Sequence, residues 1–162
     1  MIIQEIMYNN ILVPHAGTPA GDQALKHAVH AAKGTKAKII LLHVVEEMQH
    51  PPTFALSSSE REKLLKNIKD ANEDIRKGMI PEFEKREKIC QKNNIESVSH
   101  VVTGSAYDEI LKAIKKYKVD LVVMAKRRKL KGIKGLLSLG SVSRKVVENT
   151  TCPILMIDIE KK

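Results

Sequence analysis

The stretch VDLVVMAKRRKLKGIKGLLSLGSVSRKVVENTTCPILMIDI, Val119 to Ile159, decides the fold. Its first seven residues, Val119 to Ala125, form an apolar run of the length and composition of a buried strand. A basic loop punctuated by Gly132 and Gly135 follows, then Gly140-Ser141 opens a short amphipathic helix. A second apolar run, Ile154 to Ile159, closes the unit. A strand that feeds a glycine-bearing loop and a helix N-terminus suits an anion. Glycine lets the backbone approach, and the first helical N–H groups have no partner of their own. Gly140 is expected there either to leave the anion space empty or to supply backbone angles that other residues avoid.

Charge sharpens this reading. The chain has 162 residues and a formal net charge of +9. Between Leu121 and Val147 there is no acid, while Lys126, Arg127, Arg128, Lys129, Lys131, Lys134, Arg144 and Lys145 all fall in that window. Eight of the nine net charges are therefore local to the loop and helix. Nucleic acid is disfavoured as the partner, because aromatics are only 3% of the chain and none lies in the window to stack a base. No apolar run reaches membrane-span length, and the longest, Ile39 to Val45, is interrupted by His43. MIIQEIMYNN has an acid and no basic leader, and Cys90 and Cys152 lie far apart, so a cytoplasmic protein with free thiols is expected.

Read in order, Asn10 to Pro14 is strand one, and Thr18-Pro19 starts a helix as N-cap and first helical residue. Ala24, Leu25, Ala28, Val29 and Ala32 form its apolar stripe and Gly34 ends it. Lys38 to Val45 is strand two, apolar enough to be buried on both faces. A surface loop over 46–59 leads to a helix capped by Ser59 and Glu62. Its stripe of Leu64, Ile68, Ala71, Ile75, Met79, Phe83 and Cys90 keeps phase past Pro81, which predicts one kinked helix. Ser97 to Val102 is strand three, and Ser105 with Asp108 caps a helix whose inner face is Ile110, Leu111 and Ile114. Strands alternating with helices imply one α/β domain over 1–162, with a core from 9 to 159, a basic loop over 126–139 and a mostly parallel sheet.

Two segments, ILVPHAGTPAGDQALKHAVHAA and DLVVMA…GIKGLLSLGSVSRKVVENTTCPILMI, resemble the opening and closing signatures of the universal stress protein family. The resemblance implies an open five-stranded parallel doubly wound sheet in the order 3-2-1-4-5, Rossmann-like and of the adenine nucleotide alpha hydrolase type, with helices on both faces. It implies a stress-response regulatory or binding protein that takes ATP or AMP in a crevice between strands one and four, with Mg only beside ATP. It also implies a homodimer through strand five, Pro153 to Ile159, whose apolar edge is a hazard if left bare. At most a slow ATPase is expected.

By that resemblance Pro14, His15, Ala16, His43, Val44, Met124 and Ala125 line the crevice, and Gly140, Ser141, Val142 and Ser143 hold phosphate, with Ser141 and Ser143 as cap and hydroxyl donors. Two departures stand out. Ala16 occupies the place of a usual acid beside the base. Ala125 and Arg128 occupy the places of two glycines, with eleven residues from Arg128 to Gly140 where the family has nine. Arg127 and Arg128 are then expected to replace the lost backbone contacts with bidentate ones. The alternative is an interaction module whose basic loop docks an acidic protein partner. His27 and His30 have helical metal spacing, but they point away from the stripe with no third ligand nearby, so no metal is expected. Ser141 and Ser143 have no base fixed by spacing, so nucleophilic catalysis is not expected.

Overall fold

The computed structural model describes residues 7–47, 52–126 and 140–158. Nine elements succeed one another among the described residues: β1 (Asn10–Pro14), α1 (Pro19–Ala32), β2 (Lys38–Glu46), α2 (Ser58–Lys92), β3 (Ser97–Gly104), α3 (Ala106–Lys116), β4 (Leu121–Ala125), α4 (Ser141–Asn149) and β5 (Ile154–Ile157). All strand pairs are parallel, in the order β3-β2-β1-β4-β5. This is the expected sheet. β1 lies at its centre, and Ile11, Leu12 and Val13 are each fully buried.

The alternation of side chains along the strands builds two cores. Ile11, Val13, Ile39, Leu41, Leu121 and Val123 face α1 and α2, where they meet Ala24, Leu25, Ala28, Phe83 and Cys90. Leu12, Ile40, Leu42, Val122 and Met124 face α3 and α4, where they meet Ile110, Ala113 and Val146. Burying each of the larger side chains is worth about 1.5–3 kcal/mol, so the central strands, apolar on both faces, are the most strongly held.

Several local expectations need correction. β4 starts at Leu121, not Val119, because the two preceding residues serve neighbours. The Val119 N–H closes α3 on the Ile114 carbonyl, and the Asp120 carboxylate accepts the N–H groups of Asn9 and Asn10 at the start of β1. α2 is capped by Ser57 and Glu60, two residues before the expected pair; the Ser57 hydroxyl faces the Glu60 N–H and the Glu60 carboxylate takes the Ser57 N–H. The helix runs continuously through Pro81 for 35 residues. Its stripe is uneven: Phe83 and Cys90 are fully buried, whereas Ile75 is 48% exposed and Asn72 is buried in addition. β3 extends to Gly104, and β5 is the four residues Ile154–Ile157. The expected Ile159 end of strand five lies outside the described residues.

α1 follows its sequence closely. The Thr18 side chain accepts the Gly21 N–H, Pro19 opens the helix, and Gly34 leaves it at φ +77°.

Candidate functional site

β1 and β4 pair only at Ile11 with Leu121 and Leu12 with Val122. On its other side β1 stays paired with β2 as far as Pro14 with Leu42, and the His15 N–H continues that ladder to the Leu42 carbonyl at 2.9 Å. The carboxyl end of the sheet therefore splits between β1 and β4. A cleft of about 660 Å³ opens there, within the size range of small-molecule sites.

Strand ends supply Pro14, Leu42, His43, Val44, Val45, Met124 and Ala125 to the cleft. The turn after β1 supplies His15, Ala16 and Thr18, α3 supplies Ala106 and Ile110, and α4 supplies Val142 and Ser143. Nine of the residues singled out in the sequence thus meet here: Pro14, His15, Ala16, His43, Val44, Met124, Ala125, Val142 and Ser143. Gly140 and Ser141 stand at the start of α4, outside that lining. Arg127 and Arg128 lie outside the described residues. Sequence reasoning missed Ile75, which α2 carries to the cleft wall, and the α1 positions Ala20 and Gly21. The half-exposure of Ile75 is the signal in retrospect: an apolar stripe position left open marks a wall without a protein partner.

The start of α4 differs from the other helix starts. α1, α2 and α3 each begin with a hydroxyl side chain, Thr18, Ser57 and Ser105, that accepts a backbone N–H. α4 begins with Gly140, which has no side chain to do so. Its first N–H groups carry the positive end of the helix dipole. Gly140 has φ −63° and ψ 160°, angles open to any residue, so the expectation that backbone conformation demands glycine is corrected. Ser141 is the first helical residue and not a cap, and Ser143 is buried with only 5% exposure.

A polar network backs the cleft wall. The buried His15 ring faces Asp22 through Nε2 at 3.0 Å and accepts the Gly17 N–H on Nδ1 at 2.9 Å. Arg86, on α2, donates from Nε to the same Asp22 oxygen at 2.8 Å. The His43 Nδ1–H donates to the His15 carbonyl at 2.8 Å. Phe83 packs against both imidazoles and under the Arg86 guanidinium. Burial, then the Arg86 charge, push His15 below its ordinary value of 6.5, against the pull of Asp22. Burial also opposes ionisation of Asp22, but the hydrogen bonds and charges of Arg86 and His15 together outweigh it and hold Asp22 below the usual carboxylate range. With both nitrogens used, His15 serves the wall and not a ligand.

His27 and His30 are exposed on α1. Among the described residues no three His, Cys, Asp or Glu side chains converge on a metal position. No helix of the described residues is long and apolar enough to cross a membrane.

A parallel sheet split at its centre, with an uncapped helix at the split and helices on both faces, defines a doubly wound α/β domain. The universal stress protein family model matches residues 7–158, and the chain belongs to that family. Universal stress protein YxiE of Bacillus subtilis is 33% identical over 155 residues, covering 93% of this chain and 99% of its own. The solved structure of MJ0577, from Methanocaldococcus jannaschii, superposes with a TM-score of 0.78 at 23% identity, covering 97% of this chain and all of that one. The fold is therefore that of the adenine nucleotide alpha hydrolase type, as expected. More distant members share it: one solved in complex with cAMP (TM-score 0.62, 20% identity, 94% and 98% covered), and one from Arabidopsis thaliana with AMP bound (0.59, 20%, 94% and 92%).

Proposed function

We propose that the cleft binds an adenine nucleotide, AMP or ATP, and that the protein acts as a nucleotide-responsive regulatory or binding protein. The observation that carries this reading is the uncapped start of α4 beside the split between β1 and β4. Leu42, Val44, Ile110 and Met124 give an apolar wall for a planar base, and Ser143 offers a hydroxyl toward phosphate. The cAMP and AMP complexes of more distant family members support the ligand class. Ala16 offers no carboxylate to the base, so base recognition falls to backbone groups and packing. Mg accompanies ATP only, since a lone phosphate needs no bridging cation. The free thiols of Cys90 and Cys152 fit a cytoplasmic protein, and the apolar edge of β5 fits a homodimer.

Isothermal titration with AMP and ATP tests the reading. Saturable binding is expected in the wild type and none in Gly140→Val, with the fold intact, because the backbone at Gly140 accepts valine and only the anion space is lost. Unchanged affinity in a folded Gly140→Val protein places the phosphate elsewhere. The same titration addresses the acidic-partner reading. If Arg127 and Arg128 contact phosphate, changing both to Ala weakens ATP by roughly 2–4 kcal/mol and AMP by less. If the basic loop docks an acidic protein, the wild type shows no saturable ATP binding.

A further inference from the structure

His15 is 2% exposed, yet it holds the rim of the cleft. The Gly17 N–H can only donate, so Nδ1, 2.9 Å away, carries a lone pair. Nε2 then carries the proton and donates to Asp22 Oδ1 at 3.0 Å. The ring is thereby held as one neutral tautomer. What it holds is the turn after β1. Ala16 and Thr18 line the cleft, and Gly17 between them sits at φ +73°, a left-handed conformation that glycine adopts freely, while its N–H is tied to the ring.

The ring has no room to respond by moving. On one side the Gly21 backbone is so close that a Cβ there would lie 2.6 Å from Nδ1. On the other, Phe83 meets it edge-on at 5.2 Å between centroids. A proton on Nδ1 would set two N–H donors against each other, and the part free to give is the turn. Three charged or titratable groups face the ring, one from each element packed on it. Asp22 on α1 favours protonation, while Arg86 on α2 and His43 on β2 oppose it.

We propose that His15 is a proton-operated latch on the mouth of the cleft: neutral, it ties the turn of Ala16 to Thr18 in place, and protonation of Nδ1 releases it. Acidification then weakens whatever the cleft holds. The consequence for AMP rests on the nucleotide reading above; the latch itself does not.

The test begins with the ligand-free full chain, followed by NMR from about pH 8 to pH 5 through the His15 ring nitrogens and the Gly17 amide. At high pH the expected ring has a bare Nδ1 and a protonated Nε2. The Gly17 amide should then lose its hydrogen bond with the same midpoint at which His15 gains its proton. A Gly17 amide indifferent to that midpoint, or a His15 proton on Nδ1 at pH 8, overturns the latch. Two amide variants separate the ring's two roles. His15→Asn keeps an acceptor near the Nδ1 position at every pH, so its turn should ignore acid. His15→Gln keeps a donor toward Asp22 but no acceptor for Gly17, so its turn should be loose throughout.

If neither variant folds, Arg86→Met leaves His15 in place and removes a charge that opposes its protonation. The Gly17 midpoint should then rise, and an unmoved or lowered midpoint counts against the latch. Measured against His15→Asn, which shares any titration of AMP's own phosphate, wild-type AMP affinity should fall about a further tenfold for each pH unit below the midpoint, as the competent fraction shrinks. A wild-type profile parallel to that of His15→Asn, with the Gly17 amide still following His15, overturns the link between latch and site. A wild type that binds no AMP at any pH sinks the nucleotide reading, and the Gly17 amide alone then decides the latch.

Discussion

The two edges of the sheet are protected in opposite ways. At the β3 edge α2 lies across the strand and reaches its outward backbone groups. The Glu87 carboxylate accepts the Ser99 N–H, and Arg76, braced by Glu73 at 2.8 Å, reaches the Val101 carbonyl at a long 3.5 Å. Phe83 and Cys90 pin the same helix to the core. At the β5 edge, among the described residues, no side chain bonds the outward groups of Ile154–Ile157. Leu155 there is 40% exposed, and Val147 on the adjoining α4 is 43% exposed. An open strand edge invites pairing, and proteins cover it with their own elements or with a partner. One edge of this sheet is closed from within. The other has no such cover among the described residues, and it is the edge that the homodimer proposed above would pair.

The largest effect that breaks the contrast comes from the anchor of α2. Phe83→Ala leaves a cavity beneath His15 and His43 and should cost about 3–5 kcal/mol, read as a lower urea midpoint. A loss under about 1 kcal/mol would mean that α2 is held by something other than this ring. At the opposite edge, Leu155→Lys should weaken the dimer about a hundredfold, near 2.8 kcal/mol at about 1.4 per decade, since each charge is repeated across a twofold axis. Light scattering at micromolar concentration checks it, and a monomeric wild type refutes the dimer outright.

Glu87→Ala should cost about 1–3 kcal/mol by orphaning the Ser99 N–H, with faster hydrogen exchange at that amide. It should also let the β3 edge associate, so that larger species appear beside the dimer. Unchanged exchange at Ser99 would show that the cap is dispensable. Acid gives the gentlest probe. His15 is depressed in the folded chain, so the unfolded chain takes up more protons below the ordinary value of 6.5. The stability His15 supports is full above that pH and is lost as the pH falls through the lower folded value, by at most about 1.4 kcal/mol per pH unit. Urea midpoints at pH 7.5 and 5.5 should fall with acid in the wild type and less so in His15→Asn. Equal falls in both would assign the acid sensitivity to other groups.

Much of this architecture was legible along the chain. Apolar runs at 10–14, 38–45 and 119–125 marked strands, the second of them buried on both faces. Thr18-Pro19 and Gly34 bounded α1 because caps and left-handed stops are local chemistry. The stripe that held phase through Pro81 marked a single α2. The cleft residues on strand ends, Pro14, Val44, Met124 and Ala125, followed from the strand order that the family resemblance implies, because in a parallel sheet the carboxyl ends share one rim. Less legible were ends decided by distant partners. Asp120 looks like strand from its neighbours, yet it caps β1 across more than a hundred residues of chain.

By itself, then, the sequence determined the succession of elements, the local basicity and the glycine at the start of α4, since each depends on residues within a few positions. Only the tertiary structure decided that Asp22 meets Arg86 from 64 residues away, that both His15 nitrogens are spent on the wall, and that α2 seals β3 while no described side chain bonds the β5 edge. Hydrogen bonds and ion pairs of that kind are set by which surfaces the packed sheet brings within about 3 Å of each other. A side chain carries its donors and acceptors in its own chemistry, but their partners exist only once the chain has closed around them.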